Sequence, residues 1–357
     1  MLLAASRTRT LLAPTRSCMA DTAAPMKRSS LTIGTHDGTF HCDECLATHI
    51  LRNTDKYRDA RVLRSRDPAK LASCDIVVDV GAELDASQSK FDHHQRGFTR
   101  VFKDGSLGHS IKLSSAGLVY EQFGRDVIGA RLGSAASDAN VDAVYLHVYK
   151  SFVMPIDAVD NGVMPFDSTD APRYTDTTSV SSRVGKLNPR WNETVDATGI
   201  DERFETAVKL VGAEFDAAVS YAADAWLPAR SIVEDALARR TDVHSSGQIA
   251  VLSQFCPWKD HLYTLEDEAG LSEDAKPLYV LYQDSSGGWR VQCVSATPSS
   301  FNNRKSLPEP WCGVRDAALD ELSGIPGCVF VHANGFIGGN KTYDGALAMA
   351  VKAVEWS

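Results

Sequence analysis

Short β-branched runs alternate with longer stretches of helical periodicity through the first half of the chain. Ser30–Thr35 predicts a strand, followed by a Gly-containing loop, and the apolar spacing of Leu46, Ile50 and Leu51 predicts a helix starting near Asp43. Arg61–Arg64 and Asp75–Val80 predict two more strands. Ser114-Ser115 reads as the N-cap of a helix over Ala116–Phe123, and a further helix is expected over Val141–Phe152. This alternation predicts a doubly wound parallel sheet up to about residue 165. In such sheets ligands gather beyond the carboxyl ends of the strands.

The pattern then changes. Residues 165–200, rich in Thr, Ser, Asp, Asn and Pro, read as a long connection. Glu202–Arg240 predicts helix with a break or kink at Pro228. Gln248–Leu252, Leu278–Tyr282, Trp289–Val294 and Cys328–His332 predict strands, and Thr342–Val354 a final amphipathic helix. The fold class expected is α/β, with a catalytic domain over 30–200, an α+β substrate-binding domain over 201–357, and an active site in the cleft between them. Residues 1–29 form a leader.

That leader has its own composition. Met1–Ala20 contains Arg7, Arg9 and Arg16 with several Leu, Ser and Thr and no acidic residue, which resembles a mitochondrial transit peptide. Met19 and Met26 offer internal starts for a second, cytosolic or nuclear form. Residues 1–30 carry five basic groups and one acidic one, so without them the formal charge moves from −9 to −13. An acidic body argues against salt-driven binding of long nucleic acid, and no apolar run approaches the roughly 20 residues that span a bilayer. The eight cysteines are scattered, and the single C-x-x-C, Cys42 and Cys45, lacks the second pair a structural zinc site needs.

Candidate chemistry concentrates where strands end. His36, His41 and Asp43 follow the first strand, Asp79 ends another, Asp92-His93-His94 follows an apolar position, and Asp157 and Asp160 lie in Ile156–Gly162. Burying so many carboxylates together without cations would be prohibitive. Imidazole mixed with carboxylates favours two divalent cations, manganese foremost, with magnesium, iron or zinc as alternatives. Two cations roughly 4 Å apart, bridged by one carboxylate, are a general device for hydrolysing phosphate esters. Asp79 is the natural bridge, and Asp92 a partner that fixes a histidine tautomer.

The triplet Asp92-His93-His94 with its accompanying acidic motifs resembles the DHH phosphoesterase superfamily. More closely, the chain from about Leu31 onward is similar to the melanocyte proliferating gene family. The stretches carrying the likeness are GTHDGTFHCDE (34–44), VVDVGAE (77–83), FDHHQRGF (91–98), LSSAGLVY (113–120), IDAVDNGV (156–163), SSRVGKLNP (181–189), WLPAR (226–230) and SGIPGCVFVHANGFIGGNKT (323–342). The resemblance implies a 3′–5′ exonuclease acting on single-stranded RNA or short oligonucleotides by two-metal hydrolysis, in mitochondria and also in the nucleus. It implies one metal on His36, His41 and Asp79, the other on Asp43, Asp79, His93 and either Asp157 or Asp160, and His94 aimed at the scissile phosphate. Asp160, before Asn-Gly at a helix end, is the preferred choice of the two. An Asp is commoner in the superfamily where His41 stands.

Further substrate contacts are expected from Ser114 and Ser115, from Arg183, Lys186, Arg230, Lys259 and Arg315, and from His332, Gly338, Gly339 and Lys341. The last four surround a Gly-Gly segment before the final helix, where backbone N–H groups could meet an anion. Trp258, Trp289 and Trp311 are candidates for base stacking, with core packing expected for at least two. The rival functions are a small-substrate phosphohydrolase, acting on dinucleotides, short oligonucleotides or pyrophosphate, and a non-catalytic metal-stabilised adaptor.

Overall fold

The structure is a computed structural model and describes residues 30–105, 108, 110–166, 173–298 and 300–356. The leader expected over 1–29 lies outside the described residues.

The first sheet contains β1 (Thr32–Thr35), β2 (Arg61–Arg64), β3 (Ile76–Val78), β4 (Leu84–Asp85) and β5 (Lys90–Phe91) in the order β2-β1-β3-β5-β4. All neighbouring pairs are parallel except β4 against β5. Helices α1 (Cys42–Arg52), α2 (Pro68–Leu71), α3 (Ser115–Leu132), α4 (Asp138–Val148), α5 (Met154–Asp160), α6 (Val180–Gly185) and α7 (Ala197–Tyr221) accompany it. α1 is buried nearly all round, packed between α3 and α7. Cys42 and Cys45 are therefore small core residues of a helix.

Two departures from the expected elements have simple causes. The predicted helix over Val141–Phe152 runs further, because a π-turn at Tyr149–Val153 joins α4 to α5 and carries the chain on to Asp160. The expected break at Pro228 is a second π-turn, Ala222–Trp226, after which Pro228 sits in the first turn of the next helix, where its missing N–H costs nothing.

The second half contains α8 (Leu227–Ala238), α9 (Arg240–Val243), β6 (Ile249–Val251), α10 (Lys259–Glu268), β7 (Tyr279–Gln283), β8 (Trp289–Cys293), α11 (Asp316–Ser323), β9 (Cys328–Val331), β10 (Ile337–Asn340) and α12 (Tyr343–Glu355). Its sheet runs β6-β7-β8-β10-β9, parallel only at β6/β7. Period-two alternation decides which helix covers which face. Tyr279, Leu281 and Val291 share a core with Met349 and Ala350 of α12, whereas Ala250, Val280 and Tyr282 share one with Val233 of α8 and Leu262 of α10. Among the described residues no helix is long and apolar enough to cross a membrane.

Helix α7 crosses the position 200/201 that separates the expected domains. Its Phe204, Ala207, Val208, Val211 and Phe215 belong to the first core. Contact between α1 and α7 depends on Gly212, where a Cβ would fall 2.3 Å from His49 Nδ1. Gly212→Ala is therefore expected to destabilise. Overpacking of about 1–3 kcal/mol outweighs the gain of about 1 kcal/mol in helix propensity. Urea denaturation should show this loss, and the His49→Ala/Gly212→Ala pair should be more stable than the sum of the two single effects.

Candidate metal centre

β1, β3 and β5 are adjacent parallel strands, so the residues that follow them emerge on one edge of the sheet. His36 follows β1, Asp79 follows β3, and Asp92-His93-His94 follows β5. The N-terminus of α1 adds His41, Asp43 and Glu44, and the C-terminus of α5 adds Asp160. α1 starts where it does because Glu44 turns back to accept the His41 backbone N–H at 2.9 and 3.0 Å.

Asp79 is the hub. His36 Nε2 lies 3.3 Å from its Oδ2, His93 Nδ1 3.5 Å and His94 Nδ1 3.6 Å from its Oδ1. Its backbone is left-handed at φ 58°, a conformation that costs a non-Gly residue energy and gathers at functional sites. His36 Nε2 also reaches Glu44 Oε1 at 3.2 Å, and His93 Nε2 reaches Asp160 Oδ2 at 3.0 Å. Three groups have potential ligand atoms within 4.8 Å of one another: His36, His41, Glu44 and Asp79; Asp79, Asp92, His93 and His94; and His41, Asp43 and Asp160. Asp79 belongs to two of them.

The electrostatics ask for positive charge. Burial, followed by the charges of Asp79, Asp160 and Glu44, holds the Asp43 carboxyl well above its usual range, and burial also raises Asp79. Burial works against a charged His36, but hydrogen bonds to Asp79 and Glu44 outweigh it and push the imidazole up to about 10. Asp160 goes the other way, because the His93 hydrogen bond overcomes its burial. Asp43 Oδ1, Asp79 Oδ1 and His93 Nδ1 are all buried with no hydrogen-bond partner among the described residues. Orphaned buried groups of this kind are rare in a protein. Unsatisfied oxygen and imidazole atoms within these candidate groups fit a divalent cation of hard to borderline character.

The structure separates Asp157 from Asp160. Asp157 Oδ1 accepts from Ser114 N, Ser114 Oγ and Gly117 N at 2.9, 2.6 and 3.0 Å, and the residue is fully buried. It caps α3 and belongs to none of the three groups. Ser114 and Ser115, expected at the substrate, are buried as well. Ser115 Oγ donates to Asp43 Oδ2 at 2.7 Å, so both serines hold carboxylates and do not face the cavity. Asp92 accepts from His94 Nδ1 at 2.8 Å, from the His94 N–H at 3.0 Å and from the Ala82 N–H at 2.5 Å. It thereby orients His94, whose side chain stays 59% exposed and stacks on His93 at 4.2 Å.

A cavity of about 580 Å³ opens over these groups, lined by residues from 40 to 185. Among the described residues, Lys112 is the one Lys or Arg on its wall, which also carries Phe40, Phe98 and Val159. Sequence reasoning missed Lys112, which no motif marks, and Glu44, whose only signal was its capping-box position after Asp43.

The other expected substrate residues are placed elsewhere. Arg183 pairs with Glu214 at 2.7 Å, Arg230 with Glu268 at 2.5 Å, and Lys186 Nζ donates to the Thr177 carbonyl at 2.6 Å. Arg315 lies 3.9 Å from Asp316. His332 packs on Phe336 at 4.6 Å, and neither His332 nor Lys341 lines this cavity. Gly338 and Gly339 form no anion loop. They lie in β10, paired on both sides, where side chains would collide with Phe330 O at 3.1 Å and Trp289 O at 3.0 Å. The N-terminus of α12 is closed by its own cap, Thr342 Oγ1 accepting from Gly345 N–H at 3.1 Å. Trp258 and Trp311 are buried core residues, and Trp289 is partly buried against the second core.

Fold and site together define an α/β protein with a candidate cation centre at the carboxyl edge of a mostly parallel sheet. A family model described as "Uncharacterised protein family (UPF0160)", short name MYG1 exonuclease, matches residues 32–354. The MYG1 exonuclease of Homo sapiens is 51% identical over 321 residues, 89% of this chain and 84% of that protein. That of Mus musculus is 51% identical over 89% and 83%, and the MYG1 protein of Dictyostelium discoideum is 47% identical over 92% and 98%. The chain belongs to the MYG1 family.

Two substitutions separate the roles of the neighbouring aspartates. Asp160→Asn should lower, without abolishing, the rise in melting temperature expected from manganese, a rise worth about 2.7 kcal/mol at a hundred times Kd, since two of the three candidate groups lack Asp160. It should leave the metal-free fold near wild type. Asp157→Asn should destabilise the metal-free protein by about 1–3 kcal/mol and keep the manganese response. Thermal melts with and without manganese check both.

Proposed function

We propose that this chain is a divalent-cation-dependent phosphodiesterase of the DHH type that trims single-stranded RNA from the 3′ end, in the mitochondrial matrix and also in the nucleus or cytosol. The observation that carries the chemistry is the trio of orphaned buried atoms on Asp43, Asp79 and His93. The name exonuclease on the mammalian relatives supports a nucleic-acid substrate. Direction, RNA preference and compartment rest on family resemblance and on the basic, acid-free leader.

His36, His41, Glu44 and Asp79 would hold one cation, and Asp43, Asp79, His93 and Asp160 the other. When bound, such a pair supplies hydroxide from water and stabilises charge on the phosphoryl oxygens. The chain's own residues do the rest. Asp92 holds His94 Nδ1, which leaves Nε2 as the nitrogen that can meet a phosphate oxygen or the leaving oxygen. Lys112 offers the single fixed positive charge on the cavity wall, and the Asn161 side chain anchors its carbonyl at 3.0 Å. Phe40 and Phe98 present apolar surface to a sugar or base. The second half would close over this cavity to form the substrate path.

One observation favours a second reading. A cavity with a single Lys suits a substrate with few phosphates, such as a dinucleotide. A labelled single-stranded RNA ladder incubated with manganese decides: stepwise shortening from the 3′ end supports the exonuclease, and hydrolysis of dimers alone supports the rival. If no oligonucleotide, dinucleotide or pyrophosphate is hydrolysed, both readings fail. Lys112→Ala should lower kcat/KM by about 10- to 100-fold, as expected for losing a hydrogen bond to a charged group, with manganese affinity unchanged.

A further inference from the structure

A second cavity of about 330 Å³ lies where the two halves meet. Its wall takes His147 from α4, Trp226 from the π-turn, Phe255 and Trp258 from the loop before α10, Lys259 from the start of α10, and Gln292 from β8. At 1.5 Å per helical residue, the thirteen positions from His147 to Asp160 put it about 20 Å from the metal residues.

The wall has features that packing alone does not need. Phe255 is 62% exposed yet held over Tyr282 with ring centroids 4.9 Å apart. Trp226 stacks between His147 at 4.1 Å and His261 at 4.4 Å, and His261 Nε2 donates to the Trp226 carbonyl at 2.6 Å. Burial holds both imidazoles below their ordinary range, so both rings stay neutral near pH 7. The Trp226 indole N–H is a buried donor with no acceptor among the described residues. Tyr282 OH donates to Gln292 Oε1 at 2.8 Å, which fixes the amide and leaves its NH₂ as a donor. Asp260 shares the wall with Lys259, but among the described residues Lys259 has no carboxylate within ion-pair distance; its ammonium lies 5.9 Å from the Trp258 ring.

Exposed aromatic faces, a fixed amide and an unpaired ammonium match a planar base carrying a phosphate. The volume sits at the small end of the range for small-molecule sites. We propose that this junction cavity binds one nucleotide unit, the base on Phe255 and its phosphate toward Lys259. The unit comes either from a substrate strand threaded away from the metal centre or from a free nucleoside monophosphate. The inference draws its ligand class from the nuclease reading, but the site would exist whatever the metal centre hydrolyses.

Titrating the full-length protein with nucleoside 5′-monophosphates and with a ten-nucleotide RNA, while following tryptophan fluorescence, tests this. Saturable quenching should weaken roughly 10-fold or more in Phe255→Ala, weaken in Gln292→Leu, and persist in Asp160→Asn, with inorganic phosphate giving none. Absence of quenching by every nucleotide overturns the proposal. So does quenching that ignores Phe255→Ala but disappears in Asp160→Asn, since the nucleotide then sits at the metal centre. Hydrolysis identifies the source. A strand is the ligand if Phe255→Ala slows cleavage of the ten-nucleotide RNA and spares a dinucleotide. The free nucleotide is the ligand if added monophosphate changes dinucleotide cleavage in the wild type alone. A protein that hydrolyses nothing but still shows Phe255-dependent binding defeats the nuclease reading and keeps this one.

Discussion

The structure turns on burying acidic groups without burying uncompensated charge. Asp43, Glu44, Asp79 and Asp92 are removed from water at one sheet edge, with Asp160 half-buried beside them. Taking charges out of water costs several kcal/mol per ion even after relaxation. The fold offsets part of this with His36 and His93, with the α1 and α3 N-termini, and with the hydroxyl of Ser115. Among the described residues, what stays uncompensated is Asp43 Oδ1, Asp79 Oδ1 and His93 Nδ1; Asp79 and His93 share one group of candidate ligands, and Asp43 belongs to another with His41 and Asp160. Divalent cations held by these groups would satisfy them.

Much of the surrounding structure serves to keep those atoms in place. Asp79 is forced into a left-handed backbone at the end of β3, with its N–H bonded to the Phe91 carbonyl at 3.1 Å. Glu44 both caps α1 and touches His36. Asp157, close in sequence to Asp160, directs Oδ1 to the start of α3 and Oδ2 to the Tyr149 hydroxyl, and so locks α3 and α5 together behind the site. Asn188 grips Phe40 through both its N–H and its carbonyl, which ties the long connection to the loop carrying His41. Removing Asp157 or Asn188 would disturb the candidate metal residues without removing one of them.

Legibility in the sequence followed the range of the interaction. Strand positions β1, β2 and β3, the helix after His41, and the convergence of His36, Asp79 and Asp92-His93-His94 could be read because period and strand-end position are local signals. β10 escaped because Gly-Gly has little strand propensity and reads as a loop; its strand state comes from pairing with β8 and β9. α6 was hidden in a polar connection, as was the reach of α7 into the first core. Arg183 and Arg230 carry the charge expected of phosphate ligands, but Glu214 and Glu268, 31 and 38 positions away, already engage them.

The sequence by itself determined the alternation of strands and helices, the presence of an imidazole and carboxylate set, and its place after strand ends, since each depends on spacing along the chain. Only the tertiary structure decided how those ligands divide. It distinguished Asp160 from Asp157, added Glu44 and Lys112, turned Ser114 and Ser115 inward, and built the aromatic cavity from His147, Trp226 and Phe255. The reason is physical: a carboxylate's role depends on which donors reach its oxygens, and those donors come from segments tens of residues away.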